Sequence, residues 1–333
     1  MREEAVEVDM KRYSTVAVGI DFSPLSTIAL EAAAHEAARL AARRLHLVHV
    51  FEHRPFLPMA PFGLAGERLE EAWRTAKAGA EQRLDAVEIP EPGRALWTTR
   101  EVRLGSAAEE LVEATEGVQA DLLVLASHDR TPVQRVILGS VASALLRAAH
   151  CPIMVVGADR PGTGEIRTIL AAVDLSPSAE PVLRHAMALA HAHEAKLHIL
   201  TIYDVPTVVP GLDELLPRYL SPEEVADIPA KYQHAFEALV ERIRLPNVEV
   251  DIDVSAESPA HATILGVAAE RRPDLIVLGT SGHNAFQRFF LGSTATRVVA
   301  EAHCPVLVVP REPARAKQPE VKPAGVPSIV PAR

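Results

Sequence analysis

The sequence predicts a duplicated α/β protein in which each copy folds as a doubly wound, five-stranded parallel sheet. Three observations carry that expectation. Segments recur at one constant spacing. Asp21 in VGIDFSP and Asp174 in AAVDLSP, Asp121 in DLLVLAS and Asp274 in DLIVLGT, Leu138 and Leu291 in LGS, and Ala149 and Ala302 in AHCP all lie 153 residues apart. A repeating unit of roughly 150 residues is an ordinary single-domain length. Within each copy, short apolar runs alternate with longer helical patterns, which is how βαβ units read. Several of those runs are continuously apolar, as strands covered on both faces are.

In the first copy, Val16–Ile20, Leu45–Val50, Trp97–Leu104, Leu122–Ala126 and Ile153–Val156 read as strands. Leu25–Arg43, Glu67–Val87, Ala107–Glu116 and Val141–Ala149 read as the helices between them. In the second copy the strands are Ile169–Val173, Leu197–Ile202, Val248–Val254, Leu275–Gly279 and Val306–Val309, with helices over 178–193, 222–244, 259–271 and 293–302. The segments LHLVHV, from Leu45, and LHILTI, from Leu197, are 152 residues apart. One residue is therefore expected to be missing from an early helix of the second copy and regained before Asp274. Right-handed crossovers leave few topologies for such a pattern. Sheets of this kind bind ligands beyond the carboxyl ends of their strands, where the strand order reverses. That rule gives a position only, and function has to come from the site itself.

Composition narrows the function classes. Apolar residues make up 48% and charged residues 23%, the balance of a soluble globular protein. A chain of this length buries sizeable cores without a disulfide or metal staple. With 34 basic and 44 acidic residues the formal charge is −10, which disfavours nucleic-acid binding driven by phosphate neutralisation. Aromatics are 4%, too few for a base-stacking groove. Two cysteines make no disulfide framework, and a reducing, cytoplasmic location is expected. No run of 18 apolar residues is present, so no membrane span is expected, and the charged start MREEAVEVDM does not read as a signal peptide. The expected organisation is an N-terminal extension over 1–12, a first domain over 13–157, a Gly-, Pro- and charge-rich connector (GADRPGTGEIR) and a second domain over 167–310. From residue 311 the chain holds five prolines and a net charge of +3, with almost no apolar periodicity. It reads as a disordered tail, either a docking segment or a solvated extension.

Chemistry concentrates after the fourth strand of the second copy. There GTSGHNAFQRFFLGSTA has the spacing G-x-x-G-x9-G-S through Gly279, Gly282, Gly292 and Ser293. Gly279 and Gly282 carry no side chains, so backbone N–H groups there can approach phosphate oxygens closely. Gly292 and Ser293 open the next helix, whose N-terminus offers unpaired N–H groups and the positive end of its dipole. Ser293 and Thr294 add hydroxyls. The same residues also suit two ordinary loop glycines and a serine N-cap.

The combination resembles the ATP-binding motif of the universal stress protein family, and both repeats take part in the resemblance, over roughly 13–157 and 167–310. The segments around Asp21 and Asp174 and the two HCP closing strands are similar to the family as well. The resemblance implies strand order 3-2-1-4-5 in each sheet and an ATP site in the second repeat, with or without Mg2+. It would be formed by Val173, Asp174, Ile202, Leu278, Gly279, Gly282, Gly292, Ser293 and Thr294. Asp174 would lie near the ribose or adenine, and Ile202 would line the adenine. The first repeat departs from the pattern. Ala126 and Asp129 stand where Gly279 and Gly282 stand in the second, while Asp21, Val50, Gly139 and Ser140 are retained. Asp21, Val50, Gly139, Ser140 and Val141 form a second, weaker candidate nucleotide site. A carboxylate about 4 Å from a phosphate is repelled by up to ~4 kcal/mol at an effective dielectric of about 20. That is roughly half of a micromolar binding free energy of about 8 kcal/mol. Arg130 or a bridging Mg2+ would offset it, and the second repeat is expected to bind ATP better than the first.

Other candidates are weaker. Arg135 and Arg288 occupy equivalent places and read either as phosphate-screening or as solvated loop arginines. No G-x-x-x-x-G-K-[ST] P-loop is present, and Gly162 and Gly164 do not extend to a dinucleotide fingerprint. His191 and His193 are two apart and would face different sides of a helix, and His46, His49 and His53 do not gather on one strand face, so no metal site is expected. Cys151 and Cys304, each in His-Cys-Pro, read as buried structural thiols rather than a redox pair. Asp21 and Asp174 each suit a general base, a helix cap or a ligand hydrogen bond. The fifth strands, CPIMVV and CPVLVV, are apolar edges that demand a partner, so the repeats are expected to pair through them as an internal pseudo-dimer, with homodimerisation of the chain open. The reading is an ATP-binding, nucleotide-responsive stress-response module with little or no turnover. A slow ATP hydrolase or adenylyl-transfer enzyme and a scaffold binding no nucleotide stand as alternatives.

Overall fold

The structure is a computed structural model that describes residues 13–52, 67–127, 138–202, 227–257, 259–280 and 291–311. The N-terminal extension over 1–12, the tail from 312 onward, and Gly282, Asp129, Arg130, Arg135, Arg288 and His53 lie outside the described residues.

The first repeat runs β1 (Thr15–Gly19), α1 (Pro24–Arg39), β2 (Arg44–Glu52), α2 (Glu67–Asp85), β3 (Trp97–Gly105), α3 (Ala107–Gly117), β4 (Leu122–Ala126), α4 (Ser140–Ala148) and β5 (Ile153–Val156). The second runs β6 (Thr168–Val173), α5 (Ala179–His193), β7 (Lys196–Ile202), α6 (Ile228–Ile243), β8 (Val250–Ser255), α7 (Ala260–Arg271), β9 (Leu275–Gly279), α8 (Ser293–Glu301) and β10 (Val306–Val309). All ten strands join one sheet in the order β3-β2-β1-β4-β5-β10-β9-β6-β7-β8. Each half therefore has the order 3-2-1-4-5. Within each half every pairing is parallel, and the seam between β5 and β10 is antiparallel. Antiparallel pairing at the seam reverses the strand direction, so the carboxyl ends of the two repeats point to opposite edges of the common sheet.

The repeated aspartates before β4 and β9 have a physical role. Asp121 Oδ2 accepts from the N–H groups of Ser14 and Thr15 at 2.7 and 3.1 Å, and Asp274 Oδ2 from those of Arg167 and Thr168 at 2.8 and 3.0 Å. Each carboxylate satisfies donors at the amino end of its central strand that the ladder leaves over. Helices cover both faces. One apolar layer, with α1, α2, α5 and α6, runs unbroken across both repeats, and a second lies beneath α3, α4, α7 and α8. Leu45, Leu47, Ile169 and Phe236 are fully buried in the first layer, and Leu123, Leu145, Ile153 and Leu170 in the second.

Two expectations are corrected. The first helix ends at Arg39, not Arg43. Ala41 adopts a left-handed φ of 50°, its N–H bonds Ala38 C=O at 3.2 Å, and Ala42 N–H bonds Ala37 C=O at 2.8 Å. This is a Schellman ending, which closes the last carbonyls and turns the chain. The second repeat ends its helix the same way, with Glu194 at φ 56° and Ala195 N–H on Ala190 C=O at 2.8 Å. Those positions still keep the spacing of 153, so the helix has lost nothing. The missing residue belongs to the turn after it. Arg43 and Arg44 both donate to Ser14 C=O, whereas Lys196 alone donates to the equivalent Arg167 C=O.

The repeats meet along α1 and α5 as well as at the seam. Glu36 Oε2 lies 3.1 Å from His193 Nε2, with side chains 2% and 4% exposed. Tyr13 Oη lies 2.5 Å from His185 Nδ1, also buried. Burial, reinforced by the carboxylates of Glu36 and Asp121, pushes the Tyr13 phenol well above its ordinary value, so it stays a neutral hydroxyl. The connector is pinned too. Buried Arg160 donates to Ala302 C=O at 3.2 Å and Val299 C=O at 2.9 Å, placing a cation at the carboxyl end of α8. Removing one partner of a buried hydrogen-bonded pair leaves the other unsatisfied. His193→Leu is expected to destabilise the chain by about 1–3 kcal/mol, and the double substitution with Glu36→Leu to recover most of that loss, in urea unfolding of the full chain.

Candidate functional site

The parallel registers bring the strand ends of each repeat to one level. In the second repeat Val173 pairs with Thr201 and Ala172 with Leu278, so Val173 and Asp174, Ile202, and Leu278 and Gly279 converge on one edge. Leu278 is buried at the end of its strand, and Val173, Asp174 and Ile202 are half-buried. Asp174 Oδ1 accepts from Ser176 N–H at 3.2 Å, and Ser176 and Ser178 share a hydroxyl contact at 2.8 Å. Thr280 N–H bonds Val309 C=O at 3.1 Å, and Gly292 N–H bonds Thr280 C=O at 2.7 Å. That last bond brings the start of α8 back beside the end of β9, so Gly279 and the helix opening at Ser293 and Thr294 share one corner. Thr201, beside Ile202, is fully buried, and its hydroxyl has no hydrogen-bond partner among the described residues.

Gly292 is the N-cap of α8, with φ −60° and ψ 146°. Any residue adopts those angles, so the backbone does not require glycine there. Glycine nonetheless has no side chain to cap the first N–H groups, which remain available to an acceptor from outside the helix. The first repeat repeats this arrangement. Gly139 caps α4 at φ −53° and ψ 149°, and a Cβ built on it would meet nothing within 4 Å among the described residues. Packing among those residues therefore gives no reason for glycine at that place.

In the first repeat these elements enclose a cavity of about 850 Å³ at the carboxyl edge. Asp21, Val50, Gly139, Ser140 and Val141, all of the expected second-site residues, line it. Its size lies within the range of about 300–1,000 Å³ typical of small-molecule sites. Asp21 closes a turn, accepting from Ser23 N–H at 2.9 Å. Burial tends to raise the Asp21 carboxyl, but hydrogen bonds from Ser23 and Ser26 outweigh it and hold the group below its ordinary value. Phe22, His49, Arg83 and Ser127 are among the lining residues that sequence reasoning missed. The signal for Arg83 was present in helical spacing: Ala76, Gly79, Ala80 and Arg83 fall at i, i+3, i+4 and i+7 on α2, and all four line the cavity.

The remaining polar candidates have structural partners. His46 contacts Thr99 Oγ1 at 2.8 Å and Glu101 Oε2 at 3.2 Å, while His49 contacts Ile20 C=O at 2.7 Å. Burial lowers the His46 imidazole more than Glu101 raises it. His191 contacts Pro246 C=O, on a different side of α5 from buried His193. Among the described residues no three His, Cys, Asp or Glu side chains gather as a metal site. No helix among them is long and apolar enough to cross a membrane. Neither cysteine forms a disulfide.

A duplicated, doubly wound α/β protein with a ligand-sized cavity and glycine-capped helices at its strand ends is the class these features define. The chain belongs to the universal stress protein family, whose model matches it twice, over residues 12–157 and 165–310. It is similar to a universal stress protein of Mycolicibacterium smegmatis, 28% identical over 303 residues that cover 88% of this chain and 96% of that one. It is also similar to one of Mycobacterium tuberculosis, 29% identical over 322 residues, 90% of this chain and 96% of that one. The crystal structure of a universal stress protein from Archaeoglobus fulgidus shares the fold, with a TM-score of 0.62 at 17% identity over 91% of this chain and 98% of that one.

Burial raises the Cys304 thiol to about 11. A raised thiol favours the folded state while it stays protonated, and that contribution is lost as pH rises from the ordinary value near 9 through about 11. In a pH series of iodoacetamide labelling followed by peptide mass spectrometry, Cys304 of the native chain should be modified appreciably only above pH 10, and the urea-unfolded chain already near pH 8.5.

Proposed function

We propose that the chain binds adenine nucleotide at the strand ends of its repeats and works as a nucleotide-responsive module of the stress response, with little or no turnover. The observation that carries this is the glycine at each helix start. Gly139 and Gly292 hold angles open to any residue, and the space beside Gly139 is clear among the described residues. Glycine in such a place leaves room for a ligand to reach uncapped helix N–H groups, which suits a phosphate.

The two repeats differ in how well they suit a triphosphate. In the second, Gly279, Ser293 and Thr294 stand around the helix opening, and the sequence supplies Gly282 in the loop between. These residues would hold the phosphates, with Val173, Asp174, Ile202 and Leu278 along the nucleoside. Any Mg2+ would arrive with the phosphates. In the first, Ala126, Asp129 and Val141 replace Gly279, Gly282 and Thr294, so a bare approach, a neutral loop position and a hydroxyl are all lost. ATP then belongs to the second repeat before the first.

In the first repeat the available carboxylate favours low turnover. Asp21 is held below the ordinary carboxylate value by its serine hydrogen bonds, and such a group is a poor base at neutral pH. Bound nucleotide would act by altering the surface that the carboxyl edge of the second repeat offers to partners.

Gly292→Val adds a branched side chain where phosphate would approach. Calorimetric titration of the full chain should show ATP affinity falling at least about tenfold, a loss of about 1.4 kcal/mol. Unchanged ATP affinity in a variant with wild-type melting would refute the assignment of the site.

A further inference from the structure

The cavity of the first repeat carries, on the wall that includes α2, residues that the second repeat lacks at the equivalent places. Phe22 follows Asp21 at a φ of 62°, and its ring centroid lies 4.4 Å from that of His49. The Arg83 guanidinium lies 4.0 Å from the Phe22 ring centroid. All three line the cavity. His49 is held in place by its Nδ1 contact to Ile20 C=O. Among the described residues no carboxylate forms an ion pair with Arg83. Ala80 and Leu84 of α2 match Phe236 and Val240 of α6 in their buried four-residue spacing, and Leu84 and Val240 each lie in the last turn of their helix, so the counterpart of Arg83 is Leu239. The counterparts of Phe22 and His49 are Leu175 and Thr201. The first repeat has therefore gained a stacked cation and an aromatic pair on one wall, while the opposite wall carries Ala126 and Val141 in place of Gly279 and Thr294.

We propose that the first repeat is a site for a purine nucleoside bearing no more than one phosphate, held by stacking on the Phe22–Arg83 pair. This rests on the nucleotide reading above and assigns the two repeats different ligands. A planar guanidinium already packed on an aromatic ring offers a rigid, weakly hydrated surface for a second ring. Stacking depends on the base and not on the phosphates. Added phosphates would find a helix start with Ala126 and Val141 in place of the bare approach and the hydroxyl that Gly279 and Thr294 give the second repeat. Preference therefore runs opposite in the two halves, toward adenosine or AMP in the first and ATP in the second.

The test is calorimetric titration of the full chain with adenosine, AMP and ATP, for the wild type, Arg83→Ala, Arg83→Gln and Gly292→Val, each confirmed as folded by its melting curve. The wild type should bind one adenosine per chain. Both Arg83 variants should weaken adenosine and AMP about tenfold and leave the tight ATP site within about twofold, and Gly292→Val should do the reverse. ATP binding without any adenosine or AMP binding overturns this proposal and leaves the parent reading standing. So does loss of adenosine in Gly292→Val with none in the Arg83 variants. Failure of the folded wild type to bind any of the three overturns the parent reading itself.

Discussion

The antiparallel seam between β5 and β10 is the constraint on which the molecule depends. Each repeat ends on a strand of four apolar residues, and a bare apolar edge is a template for aggregation. Here Val155 faces Val306, Met154 faces Leu307 and Ile153 faces Val308, and all six are buried. The seam turns two edges into an interior and makes one sheet of ten strands. Its direction also decides where ligands go. Because the strand sense reverses at the seam, the two carboxyl edges face opposite ways, and no residue of one strand-end site has to serve the other.

Duplication would give a symmetric interface, and this one is not symmetric. Glu36 and Leu189 are equivalent positions, as are Leu40 and His193, Tyr13 and Ile166, and Ala32 and His185. On one side of the seam the contacts are polar and buried, and on the other the equivalent residues are apolar members or neighbours of the same core. Such an arrangement discriminates between partners. A first repeat set against another first repeat would bury Glu36 opposite Leu40, a carboxylate without a partner, and a second repeat against another second would bury His193 opposite Leu189. The penalty for an unpaired buried charge thus favours the pairing of unlike repeats within one chain.

Much of the fold was legible because it rests on periodicity. Among the described residues, the ten strands and eight α-helices appear where apolar runs and helical patterns stand, and the fixed spacing of Asp121 and Asp274 marked positions whose carboxylates tie the sheet together. The end of α1 was misread because Ala41 sits in a left-handed turn, a conformation that glycine usually announces and alanine conceals. The missing residue was placed in a helix because spacing counts residues without showing where the chain turns. At the site, the glycines that open α4 and α8 were legible from their place after an apolar strand. Phe22, His49 and Arg83 were not, because they lie far apart in the chain and each is ordinary alone. Only the crossing of β2, α2 and the turn after β1 brings them to one wall.

The two strand-end sites show what duplication permits once the seam is secure. A single ancestral site must keep base, ribose and phosphate contacts together, since losing one weakens the whole ligand. Two sites on opposite edges share no side chains, so each can change without disturbing the other. The first repeat has exchanged small or polar residues near the helix start for Ala126 and Val141 while placing a cation on the facing helix. The substitutions on the two walls compensate in kind: less to hold a chain of phosphates, more to hold a ring. They also leave the core intact, because Leu84 and Val240, the neighbours of Arg83 and Leu239, remain buried. Divergence at the strand ends with conservation of packing beneath them is what physical independence of the two edges allows.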